Sequence, residues 1–161
     1  MSTALVIGGT GPTGPLVVNG LRDRGHTVTI LHTGRHETDL IGPEVEHLHT
    51  DPFDARATEI ALGDRTFDLA VVMYGRLRDL AALLVGRCGR FVSVGGVGVY
   101  LGFANPDELV PAGLMVPHPH GAALVGDGES FTKLRRIRET EEAVMDHHPD
   151  AIHLRYPQLY G

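Results

Sequence analysis

The sequence is poor in cysteine, carries no excess of positive charge and contains no long apolar run. Its single cysteine, Cys88, allows no internal disulfide and favours a reducing compartment. With a formal net charge of −6 over 161 residues, it lacks the global basic charge of a nucleic-acid binder. The locally basic stretch Lys133-Leu134-Arg135-Arg136-Ile137-Arg138 is followed by Glu139, Glu141 and Glu142. Those acids stand at helical i,i+3 or i,i+4 distance from the bases, which reads as pairing along one helix. No apolar stretch reaches membrane-spanning length, and the first residues lack a basic leader followed by a long apolar segment. The expectation is a cytoplasmic protein with neither a nucleic-acid nor a membrane partner. The pairs His47/His49, His118/His120 and His147/His148 lack the His-x-x-x-His or Cys/His spacing of a zinc site. They read as ordinary surface histidines, and no metal is expected.

The informative stretch is the opening, Ala4-Leu5-Val6-Ile7-Gly8-Gly9-Thr10-Gly11-Pro12-Thr13-Gly14. An apolar run stops at glycines and a helical pattern follows, so it reads as a buried strand, a tight turn and a helix start. Gly9, Gly11 and Gly14 fit G-x-G-x-x-G, while Gly8, Gly11 and Gly14 fit G-x-x-G-x-x-G. In such a motif one glycine turns the chain, another lets a pyrophosphate approach the backbone, and a third lets helix pack on strand. The helix N-terminus then offers amide donors and a positive dipole end. Pro12 has no N–H to give a phosphate, so that contact is expected from the Thr13 and Gly14 amides and a threonine hydroxyl. Pro12 itself suits a first helical turn.

Along the chain, strands are expected at about 4–7, 27–32, 45–49, 67–72, 90–94 and 151–154. Helices are expected at about 12–24, 55–62, 77–85 and 129–147. Val17, Val18 and Leu21 should face inward on the first helix, Gly25 should end it, and Asp54 should cap the second. Gly95 to Tyr100 reads as flexible, and residues 101–128, with prolines 106, 111, 117 and 119, as a functional flap or mobile loop. Strands alternating with helices predict an α/β fold: a doubly wound parallel sheet of Rossmann type, about six strands with helices on both faces. The end of the second strand reads His32-Thr33-Gly34-Arg35-His36, with no acid before Glu37. An acid there suits the ribose 2′-hydroxyl of NAD, whereas Arg35 could pair the 2′-phosphate of NADP. NADP is therefore preferred over NAD.

Several of these stretches together resemble the extended short-chain dehydrogenase/reductase family, the NAD(P)-dependent epimerase/dehydratase group. The glycine loop resembles that family's nucleotide loop. Asp51 stands where the family has an adenine-contacting Asp, Arg90 to Tyr100 resembles its fifth strand and following turn, and Arg155-Tyr156 with Tyr160-Gly161 resembles the entry to its substrate region. The resemblance implies a cofactor site built from Gly8, Thr10, Gly11, Pro12, Thr13, Gly14, Arg35 and Asp51, with Tyr74 and Gly75 lining the cleft. It also implies that residues 1–161 form the dinucleotide-binding domain, the family's C-terminal substrate lobe being absent.

The family's catalytic set is a Ser or Thr after the fifth strand and a Tyr-x-x-x-Lys on the next helix. Here the serine position falls on Gly96, with Ser93 three residues too early. The helix offers Lys133 and Ile137, Glu129 and Lys133, or Phe131 and Arg135, according to register. No register restores a phenol, so the catalytic residues are unknown; Tyr74 and Tyr100 are read as loop aromatics that could stand in as an acid. A Gly-Gly turn and the Arg138-Glu139-Thr140-Glu141 helix are similar to an atypical subgroup of the family. Two functions stay open: an oxidoreductase or epimerase/dehydratase acting on a small organic or sugar-nucleotide substrate, and a non-catalytic NADP(H)-binding sensor or scaffold. The stripe Leu77, Leu80, Ala81, Leu84 and Val85 reads equally as core or as the helical interface of a homodimer, which the resemblance implies.

Overall fold

The computed structural model describes residues 1–109, 111–113, 119, 121–126 and 131–157. Glu129, His118, His120, Tyr160 and Gly161 lie outside them. Six strands, β1 (Ser2–Ile7), β2 (His26–His32), β3 (Glu46–His49), β4 (Phe67–Val72), β5 (Cys88–Gly96) and β6 (Ile152–Tyr156), form one sheet. Every pairing is parallel and the order is β3-β2-β1-β4-β5-β6. The helices are α1 (Gly14–Arg22), α2 (Ala55–Leu62), α3 (Leu77–Leu83) and α4 (Thr132–His147). The chain order reverses direction at β1, so the carboxyl ends of β1 and β4 open a crevice there, the usual ligand position of such sheets.

A parallel sheet must be covered on both faces, and β1 shows how this chain manages it. Ala4, Leu5, Val6 and Ile7 are all fully buried. Alternation sends Leu5 and Ile7 to one face, against Leu62 of α2, Leu80, Ala81 and Leu84 of the α3 region and Val144 of α4. Ala4 and Val6 go to the other, against Val18 of α1 and against Ile41 and Val45 from the connection between β2 and β3. That connection contains no helix, so two apolar side chains in a loop do the covering there. Among the described residues no helix is long and apolar enough to cross a membrane.

Several expected boundaries shift, each for a physical reason. Helix α1 begins at Gly14 rather than Pro12: the Gly14 amide closes a turn on the Gly11 carbonyl at 3.0 Å, and Pro15 then takes the first-turn position. It ends at Arg22, and Gly25, with φ +86°, turns the chain into β2. Strand β5 runs on to Gly96 because β6 pairs with it that far, Gly96 opposite Tyr156. The expected flexibility of 95–100 is corrected: Gly98 and Val99 are buried in a short 3-10 turn. Residues 121–126 are also tied down. The Leu101 amide donates to the Ala123 carbonyl and the Val125 amide to the Val99 carbonyl, both at 2.9 Å, and Val125 is fully buried. Helix α4 starts at Thr132. The apolar stripe on α3 is core, since Leu80, Ala81 and Leu84 are fully buried within this chain while Val85 is 52% exposed.

Candidate functional site

The crevice is a cleft of about 790 Å³ at the carboxyl edge of the sheet. Its floor is the glycine turn after β1, and each glycine there has a separate steric task. Gly8 has φ +91° and would drive a Cβ into Tyr74, so the turn requires its conformation. The Gly8 amide continues the β-ladder to the Leu31 carbonyl at 2.9 Å, holding the turn flush with β2. A Cβ on Gly14 would run into the Gly9 backbone, so the start of α1 can approach β1 only as glycine. Gly11 differs: the nearest atom to a Cβ there, the Gly8 carbonyl oxygen, is 4.0 Å away. Among the described residues nothing needs Gly11 to be small, and Gly11 lines the cleft.

Of the residues expected from sequence, Gly8, Thr10, Gly11, Pro12, Thr13, Gly14 and Tyr74 line this cleft. Arg35, Asp51 and Gly75 do not. Arg35 is exposed. Asp51 instead accepts the Phe53 amide at 2.9 Å and shapes the turn into α2. Gly75, at φ +101°, packs a backbone turn against Pro52. The expected donor pattern also changes. The Gly14 amide is spent on Gly11, and Pro15 offers none, so the N-terminus of α1 is short of donors. Thr13, the N-cap residue, makes no side-chain capping bond, which leaves its hydroxyl to a ligand. Among the described residues no Lys, Arg, Asp or Glu lines the cleft. An anion there would be held by amides, threonine hydroxyls and the helix dipole alone.

Sequence reasoning missed His32, Thr33, His36, Thr38 and Leu40 at one end of the cleft, and Met73, Val94 and Tyr156 at the other. The signal for them was positional: they follow or end strands whose carboxyl edges meet at the crevice. His32 is 3% exposed, and burial holds its imidazole below the usual pKa. It stands next to His47 and His49 of β3, and Glu37 folds back from the loop onto all three. Among the described residues these four side chains form a donor group that could hold a metal. The expectation of no metal came from spacing along the chain, whereas these histidines meet across neighbouring strands. His36, four residues after His32, lines the cleft instead.

The positions where the expected catalytic set would fall carry no Ser, Thr or Tyr. Gly96 ends β5, and Lys133 is exposed on the first turn of α4. Ser93 lies mid-strand and fully buried, with its Oγ 2.7 Å from His153 Nδ1. His153 Nε2 is 3.3 Å from Glu141, and Arg155 grips the same carboxylate through two nitrogens at 2.8–3.2 Å. Arg155 also donates to the Tyr100 hydroxyl at 3.1 Å and sits over its ring. Burial would raise the Glu141 carboxyl, but bonds from His153 and Arg155 outweigh it and leave the carboxyl below its ordinary value. This network ties α4 to β6 around a second cavity of about 720 Å³. Glu141 thus points inward to Arg155, unlike the expected pairing along α4, which Arg138–Glu142 and Arg135–Glu139 do make.

No protein-family model and no curated protein matches the chain. Solved structures do. The Bordetella bronchiseptica enzyme WbmH, in complex with NAD+, superposes with TM-score 0.75 at 14% identity, over 100% of this chain and 57% of that one. UDP-glucose 4-epimerase of Thermotoga maritima, with UDP-glucose, gives 0.74 at 14% identity, over 99% and 56%. The UDP-Glc/GlcNAc 4-epimerase of Campylobacter jejuni gives 0.70 at 13% identity, over 97% and 53%. The chain therefore has the Rossmann-type fold of these enzymes, over about half of their length.

Proposed function

We propose that the cleft binds a nicotinamide dinucleotide, with the diphosphate over Gly11 and against the start of α1, and that the chain is the cofactor domain of an epimerase- or dehydratase-like protein acting on a small organic or sugar-nucleotide substrate. The observation that carries this reading is the free space over Gly11 beside two glycines that sterics demand. A turn built only for folding has no use for the third. The adenosine then lies toward His32, Thr33 and His36. That end presents imidazoles and hydroxyls but no carboxylate, since Glu37 is turned toward the histidines. This chemistry suits the 2′-phosphate of NADP better than a bare diol, and exposed Arg35 is close in sequence to supply a further charge.

The test is Gly11→Ala. Its methyl group has room in the protein but occupies the space of the diphosphate. The melting temperature should stay within about 1 °C while NADPH affinity, followed by nucleotide fluorescence, falls at least about tenfold. Unchanged affinity would remove the diphosphate from this turn. In parallel, Arg35→Ala should weaken NADPH several-fold and leave NADH unchanged; equal effects on both would end the NADP preference. A second reading, binding without turnover, is favoured by Gly96 and exposed Lys133 at the positions of the usual acid–base set. Saturable NADPH binding with no hydride exchange across a panel of nucleotide sugars would select it.

A further inference from the structure

We propose that His32, Glu37, His47 and His49 form a site for one zinc-class divalent transition-metal ion, on the sheet edge beside the cleft. The strand register builds most of it. His32 lies opposite His49 in the parallel β2–β3 pair, and Ile30 lies opposite His47. Period-two alternation puts His47 and His49 on one face, and the register puts His32 on that face with them. The loop leaving β2 covers this face and brings Glu37 back to it. Four donors from β2, β3 and the loop between them therefore converge, although these histidines have neither the His-x-x-x-His nor the Cys/His spacing along the chain.

The distances suit a small tetrahedral ion. His32 Nε2 and His47 Nδ1 are 3.1 Å apart. Glu37 oxygens are 3.2 Å from His49 Nε2, 3.4 Å from His47 Nδ1 and 3.8 Å from His32 Nε2. One ligand atom from each residue lies within 4.8 Å of all the others. For metal–nitrogen bonds of about 2.0–2.1 Å, the edge of a tetrahedron is roughly 3.3 Å. The rings meet edge to face at 73°, 90° and 87°, so they do not stack. Three imidazoles and one carboxylate suit zinc. The site is also reachable, with His49 and Glu37 half exposed and His32 forming the buried wall.

Without metal, protons do the holding. The Gly34 amide donates to His32 Nδ1 at 3.3 Å, which places the His32 proton on Nε2, facing His47. Metal on Nε2 moves that proton to Nδ1, so the Gly34 turn must swing away. Loop 33–38 is then the part that moves, and it also borders the cleft through Thr33, His36 and Thr38.

The tag-free chain, without nucleotide, is titrated with Zn²⁺ by calorimetry and with Co²⁺ by visible absorption. The expected result is one equivalent bound, with the intense d–d bands of tetrahedral cobalt. His49→Gln and Glu37→Gln should each lower affinity at least about tenfold, whereas exposed His147→Ala should not. In the unsubstituted chain, zinc should shift the imidazole resonances of His32, His47 and His49 together, a readout that no variant's folding can spoil. Absence of saturable binding, an octahedral cobalt spectrum, or shifts confined to other histidines would overturn the proposal. Because nucleotide is absent throughout, this outcome is separate from that of the dinucleotide titration.

Discussion

At the residue scale the glycine motif separates into parts with different physics. Gly14 is small because the Gly9 backbone lies where its Cβ would be, and backbone cannot step aside as a side chain can. Gly14→Ala should therefore force α1 off β1, lowering stability by about 1–3 kcal/mol in urea denaturation, in the range of overpacked core sites. Gly11→Ala should cost almost nothing by the same measurement. A motif read as letters treats the two alike; the structure gives one to packing and the other to ligand. The residue-level expectations and the cleft lining part where a side chain has a local partner. Asp51 has the type for a base contact, and one of its carboxylate oxygens accepts the amide two residues on, a habit of Asp in turns that sequence position alone does not reveal.

At the element scale most of the architecture was legible, because periodicity and capping act locally. Phe67–Val72 and Ala55–Leu62 emerged with the expected ends, the second because the Asp54 carboxylate accepts the Ala57 amide at 3.0 Å, as an N-cap does. What was not legible depends on neighbours distant in sequence. The last residues of β5 look like a loose glycine turn until β6 pairs with them, and Glu141 looks like a solvated helix charge until Arg155 arrives on β6. On α4 the buried positions are Leu134, Glu141 and Val144, so a carboxylate occupies a core stripe. Removing its charge leaves the Arg155 guanidinium, only 26% exposed, without its anionic partner. Glu141→Gln should thus cost about 2–4 kcal/mol, slightly under the range for breaking a buried pair. The pH dependence has a definite sign. The folded carboxyl titrates below the unfolded one, so between the two values the unfolded chain binds more protons. This contribution is complete above the ordinary glutamate pKa of about 4.3 and is lost as the pH falls below it toward the folded value. Denaturation curves from pH 6 to 3 should show Glu141→Gln with the shallower acid slope; parallel slopes would mean that the pair adds no pH-dependent stability.

At the scale of the whole molecule, the cleft joins segments far apart in the chain. Its lining draws on the turns after β1, β2 and β4 and on Val94 of β5 and Tyr156 of β6. The same scale explains why α3 does not present a free apolar stripe. Its apolar residues face the sheet, and among the described residues the surface it shares with α4 carries the Arg78–Glu139 and Arg135–Glu139 pairs. A helical dimer on that face would have to desolvate those charges, so light scattering should find a monomer at micromolar concentration. A ligand spanning the cleft holds the carboxyl ends of both halves of the sheet at once and binds only the folded chain. It should raise global stability by mass action, by about 2.7 kcal/mol at a hundred times its Kd. For a chain of this size each kcal/mol moves the melting temperature by roughly 2–4 °C, so saturating NADPH should shift the melt upward by about 5–10 °C. The shift should grow with the logarithm of concentration and fall to about half or less in Gly11→Ala at the same concentration, as a tenfold loss of affinity requires. Equal shifts in the two proteins would place the nucleotide away from the β1 turn, because no other part of the cleft depends on the space above Gly11.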